Sequence, residues 1–256
     1  MHVNRARRCS LVARMGSLLF VGHATVHVEL DGTRVLTDPL LRRRVAHLWR
    51  AAAVNLTDLD RLKDVDAALV SHVHYDHLDM ASLRLLRKGT TIVAPHGTRR
   101  LLRRFEDAHQ LKADDELQVG SLLVRATRAE HHGLRPTVRS ATSLGYLLLG
   151  SQRVYFAGDT DLFSGMSDFA DSLDVALLPV AGWGPRLPAG HLSPERAAKA
   201  LRLLRPRIAV PIHWGTFAPF GRRPHTTAPE EFRRHAAELA PEVEIRILQP
   251  GSSTSF

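Results

Sequence analysis

The chain has 256 residues, 44% of them apolar, and a formal net charge of +9. This length and composition suit one globular domain of the larger kind with a full core. No apolar run reaches the roughly 18 residues of a membrane span, and a single cysteine, Cys9, excludes an intrachain disulfide.

Residues 1–16 read as a basic, loose N-terminal extension and residues 17–256 as a single domain. No long apolar segment or small-residue cleavage site follows the basic start, which argues against a signal peptide and for a cytoplasmic location. Strands are predicted over Ser17–Val21 and Thr25–Leu30, with Asp31-Gly32 as a two-residue hairpin turn into Thr33–Thr37. Leu40–Leu62 mixes basic, apolar and aromatic residues and is expected to hold helical pieces or a lid. Val65–Val70 reads as a buried strand. A helix follows over Asp79–Arg87, then a strand over Thr90–Ala94 and a basic amphipathic helix over Gly97–Asp107.

Glu116–Arg128 reads as two strands around Gly120, and Ser143–Leu149 with Arg153–Ala157 as a hairpin turning at Gly150-Ser151. Asp174–Val180 is a buried strand leading into a Gly/Pro-rich loop, Ala181–Gly190. Ser193-Pro194-Glu195 is a helix start, with a serine cap and proline at the first helical position. That helix runs to Leu204, before Pro206. Ile208–Ile212 is an apolar, strand-like run, Pro229–Leu239 the last helix and Val243–Leu248 the last strand. Strands dominate both halves, with no tandem repeat or low-complexity linker.

Four side chains of metal-ligand type fall in Ser71-His72-Val73-His74-Tyr75-Asp76-His77, directly after the Val65–Val70 strand. Imidazole nitrogen and carboxylate oxygen are ligands that zinc and similar divalent ions prefer. Alternate residues of an extended segment point the same way, so His72 and His74 can grip one ion, and Asp76 and His77, beyond the turn, a second. Three further apolar runs end in the same manner, at Glu130-His131-His132, Gly158-Asp159-Thr160 and His213-Trp214-Gly215. Strand ends of layered α/β proteins commonly carry sites.

These motifs resemble the metallo-β-lactamase fold superfamily, from about Leu18 to Gly251. The resemblance is most specific for the branch holding N-acylphosphatidylethanolamine-hydrolysing phospholipase D and the L-ascorbate-6-phosphate lactonases. Val21–Val26, Leu36-Thr37-Asp38-Pro39, Phe156–Thr160, His191–Glu195 and Ile212–Phe217 also carry it. It implies an αββα sandwich of two mixed sheets flanked by helices. It further implies that His72, His74 and His131 hold a first metal, that Asp76, His77 and His213 hold a second, and that Asp159 bridges them. The family pattern places the ligand at His131 rather than His132.

The expected activity is that of a hydrolase in which two divalent ions roughly 3.5–4 Å apart activate a shared hydroxide against a small-molecule phosphodiester or lactone/ester. Zinc (Zn2+) suits the ligands; manganese, iron and nickel also accept them. Asp76 is expected to orient the hydroxide, and His191 to contact substrate or move protons. His23 and Asp38 are expected to orient ligand imidazoles, while His2, His47, His96, His109 and His235 read as surface residues. The substrate is expected to be a small, anionic molecule. The alternatives are an RNA nuclease, which the net charge invites, and a metal-binding protein without turnover. The arginine clusters at 42–44, 99–100 and 103–104 read as solvated helix faces. Arg222-Arg223, close behind the His213 loop, belongs near the pocket mouth.

Overall fold

Apolar residues alternate or run continuously through short segments, and these segments assemble into sheets. The computed structural model describes residues 15–51, 59–132, 135, 138, 141–169, 172–184 and 187–256. In chain order the first strands are β1 (Ser17–Gly22), β2 (Thr25–Leu30), β3 (Thr33–Thr37), β4 (Arg44–Val45), β5 (Leu48–Arg50) and β6 (Ala67–Leu69). Then come β7 (Thr91–Pro95), β8 (Ala108–Leu111), β9 (Glu116–Val119), β10 (Leu122–Arg128), β11 (Leu144–Leu149) and β12 (Arg153–Phe156). The last are β13 (Val175–Pro179), β14 (Ile208–Ile212), β15 (Phe217–Pro219), β16 (Glu244–Ile245) and β17 (Ser253–Ser255). The α-helices are α1 (Leu59–Lys63), α2 (Met80–Leu83), α3 (Arg99–Leu102), α4 (Pro194–Leu204) and α5 (Ala228–Leu239).

Two mixed seven-stranded sheets form, in the orders β17-β1-β2-β3-β6-β7-β8 and β16-β14-β13-β12-β11-β10-β9, with a small third sheet β15-β5-β4. The inner faces of the large sheets share one core, in which Phe20, Val26, Val28 and Leu69 meet Val124, Tyr146, Leu148 and Phe156. Leu62, Leu83 and Leu102, from α1, α2 and α3, pack on the outer face of the first sheet against Leu36, Ala68 and Ile92. Ala197, Leu201 and Phe232 of α4 and α5 join the core through the second sheet. This is the expected αββα sandwich. β3, β6, β7 and β8 pair in parallel, as do β12, β13, β14 and β16. Parallel strands deliver several carboxyl ends to one side, where ligands gather.

The predicted turns hold. Asp31 (φ 51°) and Gly32 (φ 79°) form the β2–β3 turn with both residues left-handed. The Ser193 side chain accepts from the Arg196 N–H at the start of α4. Other expectations are corrected. The helix expected over Asp79–Arg87 is regular only across Met80–Leu83, because the chain then closes into turns, with the Leu85 N–H donating to the Ser82 carbonyl and Leu86 to Leu83. The helix expected over Gly97–Asp107 shrinks to Arg99–Leu102, and Ala108–Leu111 adds an edge strand beside β7. The strand expected over Val243–Leu248 pairs only at Glu244 and Ile245.

Where Leu40–Leu62 was expected to carry helical pieces or a lid, it holds β4 and β5 of the third sheet before α1; residues 52–58 lie outside the described set. Residues 1–14 of the expected extension, including His2 and Cys9, also lie outside it. No helix among the described residues is long and apolar enough to cross a membrane.

Candidate metal centre

Each predicted ligand leaves a strand at its carboxyl end. The His72–His77 segment follows β6, His131 follows β10, Asp159 follows β12 and His213 follows β14. The backbone must turn sharply at these ends. His213 takes φ 65°, and Gly158, just before Asp159, takes φ 60°. A Cβ on Gly158 would lie 2.5 Å from the Ser71 Cβ, so the tight apposition of the Asp159 and His72 loops requires glycine there. The Asp159 and His131 loops are tied as well, since the Glu130 N–H donates to the Thr160 hydroxyl at 2.9 Å.

All seven predicted ligands converge. His72 Nε2, His74 Nδ1 and His131 Nε2 face one another, at 2.9 Å and 3.2 Å from the His74 nitrogen. His77 Nε2 and His213 Nε2 stand 3.1 Å apart. Asp76 Oδ2 lies 3.8 Å and 3.9 Å from them. Asp159 reaches both groups, with Oδ2 3.2 Å from His77 Nε2 and 3.9 Å from His72 Nε2, and Oδ1 3.4 Å from His213 Nε2. Two nitrogens bound tetrahedrally to one zinc ion at 2.0–2.1 Å sit about 3.3 Å apart, so these spacings suit ligands of shared ions. Asp159 Oδ1 is moreover buried without a hydrogen bond among the described residues. A buried carboxylate oxygen without a donor is costly unless a cation satisfies it.

The far side of each ring sets its tautomer. His77 Nδ1 lies 2.6 Å from Asp38 Oδ2, His131 Nδ1 2.8 Å from the Gly190 carbonyl, and His213 Nδ1 2.7 Å from the Ala181 carbonyl. His72 Nδ1 lies 2.9 Å from Ser71 Oγ, whose hydroxyl donates to Asp38 Oδ2 at 2.6 Å. All four acceptors call for a proton on Nδ1, which leaves the Nε2 lone pair aimed at the centre. Asp38 therefore orients two imidazoles, His77 directly and His72 through Ser71. The sequence singled out Asp38 for this role but missed the Ser71 relay.

Protonation follows from burial and charge. Burial lowers His72 well below the ordinary histidine value, His213 to about 3, His131 to about 4, and His74 less far. For His77 burial pulls the same way, but Asp159, Asp38 and Asp76 outweigh it and hold the ring well above 6.5. Burial raises Asp76 and Asp159, and neighbouring histidines overcome it and hold both well below the usual carboxylate range. Neutral imidazoles and ionised carboxylates are the forms in which these groups bind a cation, so His77, alone of the five imidazoles, must give up its Nε2 proton to a metal that displaces it.

The remaining candidates divide by position. His23 Nε2 lies 3.1 Å from Asp76 Oδ2, and its ring stands 3.9 Å from that of His213. It groups with Asp76, His77 and His213 as a further possible ligand. His191 Nε2 lies 3.3 Å from Asp159 Oδ2, and its Nδ1 3.1 Å from the Pro188 carbonyl. Burial lowers His191, but its hydrogen bond to the Asp159 carboxylate and that group's charge prevail and raise it above 6.5. His132 is exposed, whereas His131 is buried in the cluster.

A cavity of about 280 Å³ opens on the centre, lined by His74, Asp76, Asp159, His191 and His213 at its base and by Leu48, Tyr75, Trp183, Leu187 and Pro188 on its walls. His47, read from sequence as a surface residue, also lines it, with its ring 5.1 Å from that of Trp183. The signal was absent because His47 lies in the turn between β4 and β5, strands of only two and three residues. Trp214 is core, stacked on Phe20.

By a match over residues 33–214, the chain belongs to the family described as the beta-lactamase superfamily domain. A UPF0173 metal-dependent hydrolase of Methanopyrus kandleri is 34% identical over 245 residues, covering 92% of this chain and 98% of that relative. One from Rubrobacter xylanophilus is 34% identical over 246 residues, covering 91% and 94%. Among solved structures, Igni18, a metallo hydrolase from the archaeon Ignicoccus hospitalis, superposes with a TM-score of 0.75 at 26% identity, over 94% of this chain and 98% of that one.

Proposed function

We propose that this protein is a metal-dependent hydrolase that holds two divalent ions and cleaves a phosphodiester or lactone/ester bond in a small molecule. The observation that carries the reading is the inward convergence of five imidazoles and two carboxylates, four of the imidazoles fixed by an acceptor behind the ring. His72, His74 and His131 hold one ion; Asp76, His77 and His213 hold the other; Asp159 serves both. Zinc suits the ligand set, and manganese, iron and nickel also accept histidine and carboxylate. When bound, such a pair of ions supplies water activation at neutral pH and stabilisation of developing negative charge.

The chain's own groups do the rest. Asp76 orients the attacking water from the ligand side, and His23 steadies Asp76 through its Nε2. His191 faces the cavity with its Nε2 against Asp159 Oδ2, positioned to hold a proton there and present it to a substrate oxygen. The largely apolar walls exclude water and favour a small organic substrate over a polynucleotide. The motifs shared with the phospholipase D-like and lactonase branch make those two bond types the first to screen.

The test joins elemental analysis of protein purified without added metal to an activity screen over phosphodiesters, esters and lactones. Two equivalents of metal and turnover of one substrate class are expected, with His74→Ala and Asp159→Ala losing both. Wild-type turnover by either variant after metal removal would refute the reading.

A further inference from the structure

The cavity over the metal centre continues into a second groove. About 510 Å³ in volume, it is lined by Trp183, Gly184, Pro219, Arg222, Arg223, Pro224 and His225. Trp183 and Gly184 border both spaces. Arg222 and Arg223 are exposed, and among the described residues neither guanidinium has an ion pair or hydrogen-bond partner. Other arginines are engaged, Arg42 with Asp79, Arg34 with Asp64 and Arg196 with Asp161. The segment bearing the free pair is anchored to the metal loop, because the Gly215 N–H, two residues after His213, donates to the His225 carbonyl at 3.0 Å. The Arg222 N–H closes a turn onto the Pro219 carbonyl at 2.9 Å. Two unpaired guanidiniums thus line a groove that adjoins the metal-centre cavity and shares Trp183 and Gly184 with it.

We infer that Arg222 and Arg223 form an anion subsite, which binds a phosphate or carboxylate at the end of the substrate remote from the bond that is cleaved. The intervening part of the substrate lies against Trp183 and the apolar wall. This rests on the hydrolase reading above and deepens it. The substrate is an amphiphilic anion with a hydrolysable group at one end, an apolar middle and a charged terminus. Guanidinium is suited to the terminus because its planar fork donates two parallel hydrogen bonds to a carboxylate or phosphate. The apolar walls of the first cavity account for the middle.

Two measurements on metal-loaded protein test this. In the first, kcat/KM is compared for para-nitrophenyl pentanoate and mono-para-nitrophenyl glutarate, which differ by a terminal carboxylate. The preference for the glutarate is expected to fall ~10-fold or more in Arg222→Gln/Arg223→Gln, and to persist in Arg99→Gln/Arg103→Gln, which removes equal charge from α3. In the second, indole fluorescence is followed while monobutyl phosphate is added, with no turnover needed. The apparent Kd is expected to rise ~10-fold in the 222/223 variant and to stay unchanged in the 99/103 variant. Vesicles of phosphatidylglycerol, set against phosphatidylcholine, replace the soluble phosphate in a parallel titration. A response to the soluble phosphate marks a soluble substrate, and a response to phosphatidylglycerol alone marks a lipid headgroup.

Arg223→Glu is a second variant that changes the charge by the same amount, and it is expected to weaken binding as well. Failure to turn over any phosphodiester, ester or lactone, with an intact Kd shift, would count against the hydrolase reading and leave the subsite standing. An unchanged Kd and an unchanged preference in both groove variants would overturn the subsite.

Discussion

Replacing Asp38 by Asn removes one charge and reverses a tautomer. Asp38 is fully buried and makes three short contacts, accepting from the Ser71 N–H at 2.7 Å on Oδ1, and on Oδ2 from the Ser71 hydroxyl and His77 Nδ1, both at 2.6 Å. An asparagine carbonyl in the Oδ1 position still accepts from Ser71 N–H. Its NH2 then stands where Oδ2 was, and a donor now faces His77 Nδ1. The imidazole can meet it only by surrendering the Nδ1 proton and carrying it on Nε2. That places N–H, rather than a lone pair, toward His213 and the centre. Loss of such an orienting partner costs about 10–100-fold in metal affinity, or about 1.4–2.8 kcal/mol. The assay is graded chelator competition with metal analysis, expected to strip the His77 ion from Asp38→Asn first. Ring nitrogen NMR shifts report the tautomer of His77 independently. An Asp38→Asn protein that retains the protonated Nδ1 and binds metal as tightly as wild type would refute the argument.

Three further outcomes are expected. His27 is fully buried, neither ring nitrogen has a partner among the described residues, and burial lowers it to about 4. As pH falls below 6.5 the unfolded chain gains this proton first, so its contribution to stability is complete above 6.5 and declines by about 3 kcal/mol by pH 4. His27→Leu should remove that share of the pH slope in urea unfolding, and parallel slopes would contradict it. Gly158→Ala forces a Cβ within 2.5 Å of the Ser71 Cβ at φ 60°. Denaturant unfolding should show a loss of about 2–4 kcal/mol, with weakened metal binding, because Asp159 is displaced. His131→Ala should lose metal while His132→Ala keeps it, as measured by elemental analysis, and equal losses would reassign the ligand.

The side chains that converge at the candidate centre could be read from the sequence because their chemistry is concentrated there. Four of the proposed ligands sit within His72–His77, and the others stand where an apolar run stops beside glycine, as at Gly158-Asp159, or just after a strand, as at His213. Asp38 was readable for the same reason, as the charged residue that follows β3. The third sheet was not readable. β4, β5 and β15 have two or three residues each, too few for an alternation of burial to register. His47 consequently looked like a surface residue although it lines the cavity. Edge strands β8 and β17 escaped for a related reason: Ala108–Leu111 buries only its last residue, so no period shows.

Backbone acceptors also left no trace in the sequence, since a carbonyl has no residue identity, and this obscured what the loop over Ala181–Gly190 does. The Ala181 carbonyl orients His213, the Pro188 carbonyl orients His191, and the Gly190 carbonyl orients His131. The same loop supplies Trp183, Leu187 and Pro188 to the cavity wall. A displacement that widens the wall must therefore also move acceptors behind three imidazoles. Wall shape and ligand geometry are coupled through one stretch of backbone, so Trp183 and Leu187 can vary in size while the carbonyl positions of Ala181, Pro188 and Gly190 cannot. Glycine at 190 serves that constraint, with φ 83° and space for a Cβ only at 3.3 Å from His131 Nδ1. A side chain there would press on the ring whose tautomer the Gly190 carbonyl sets.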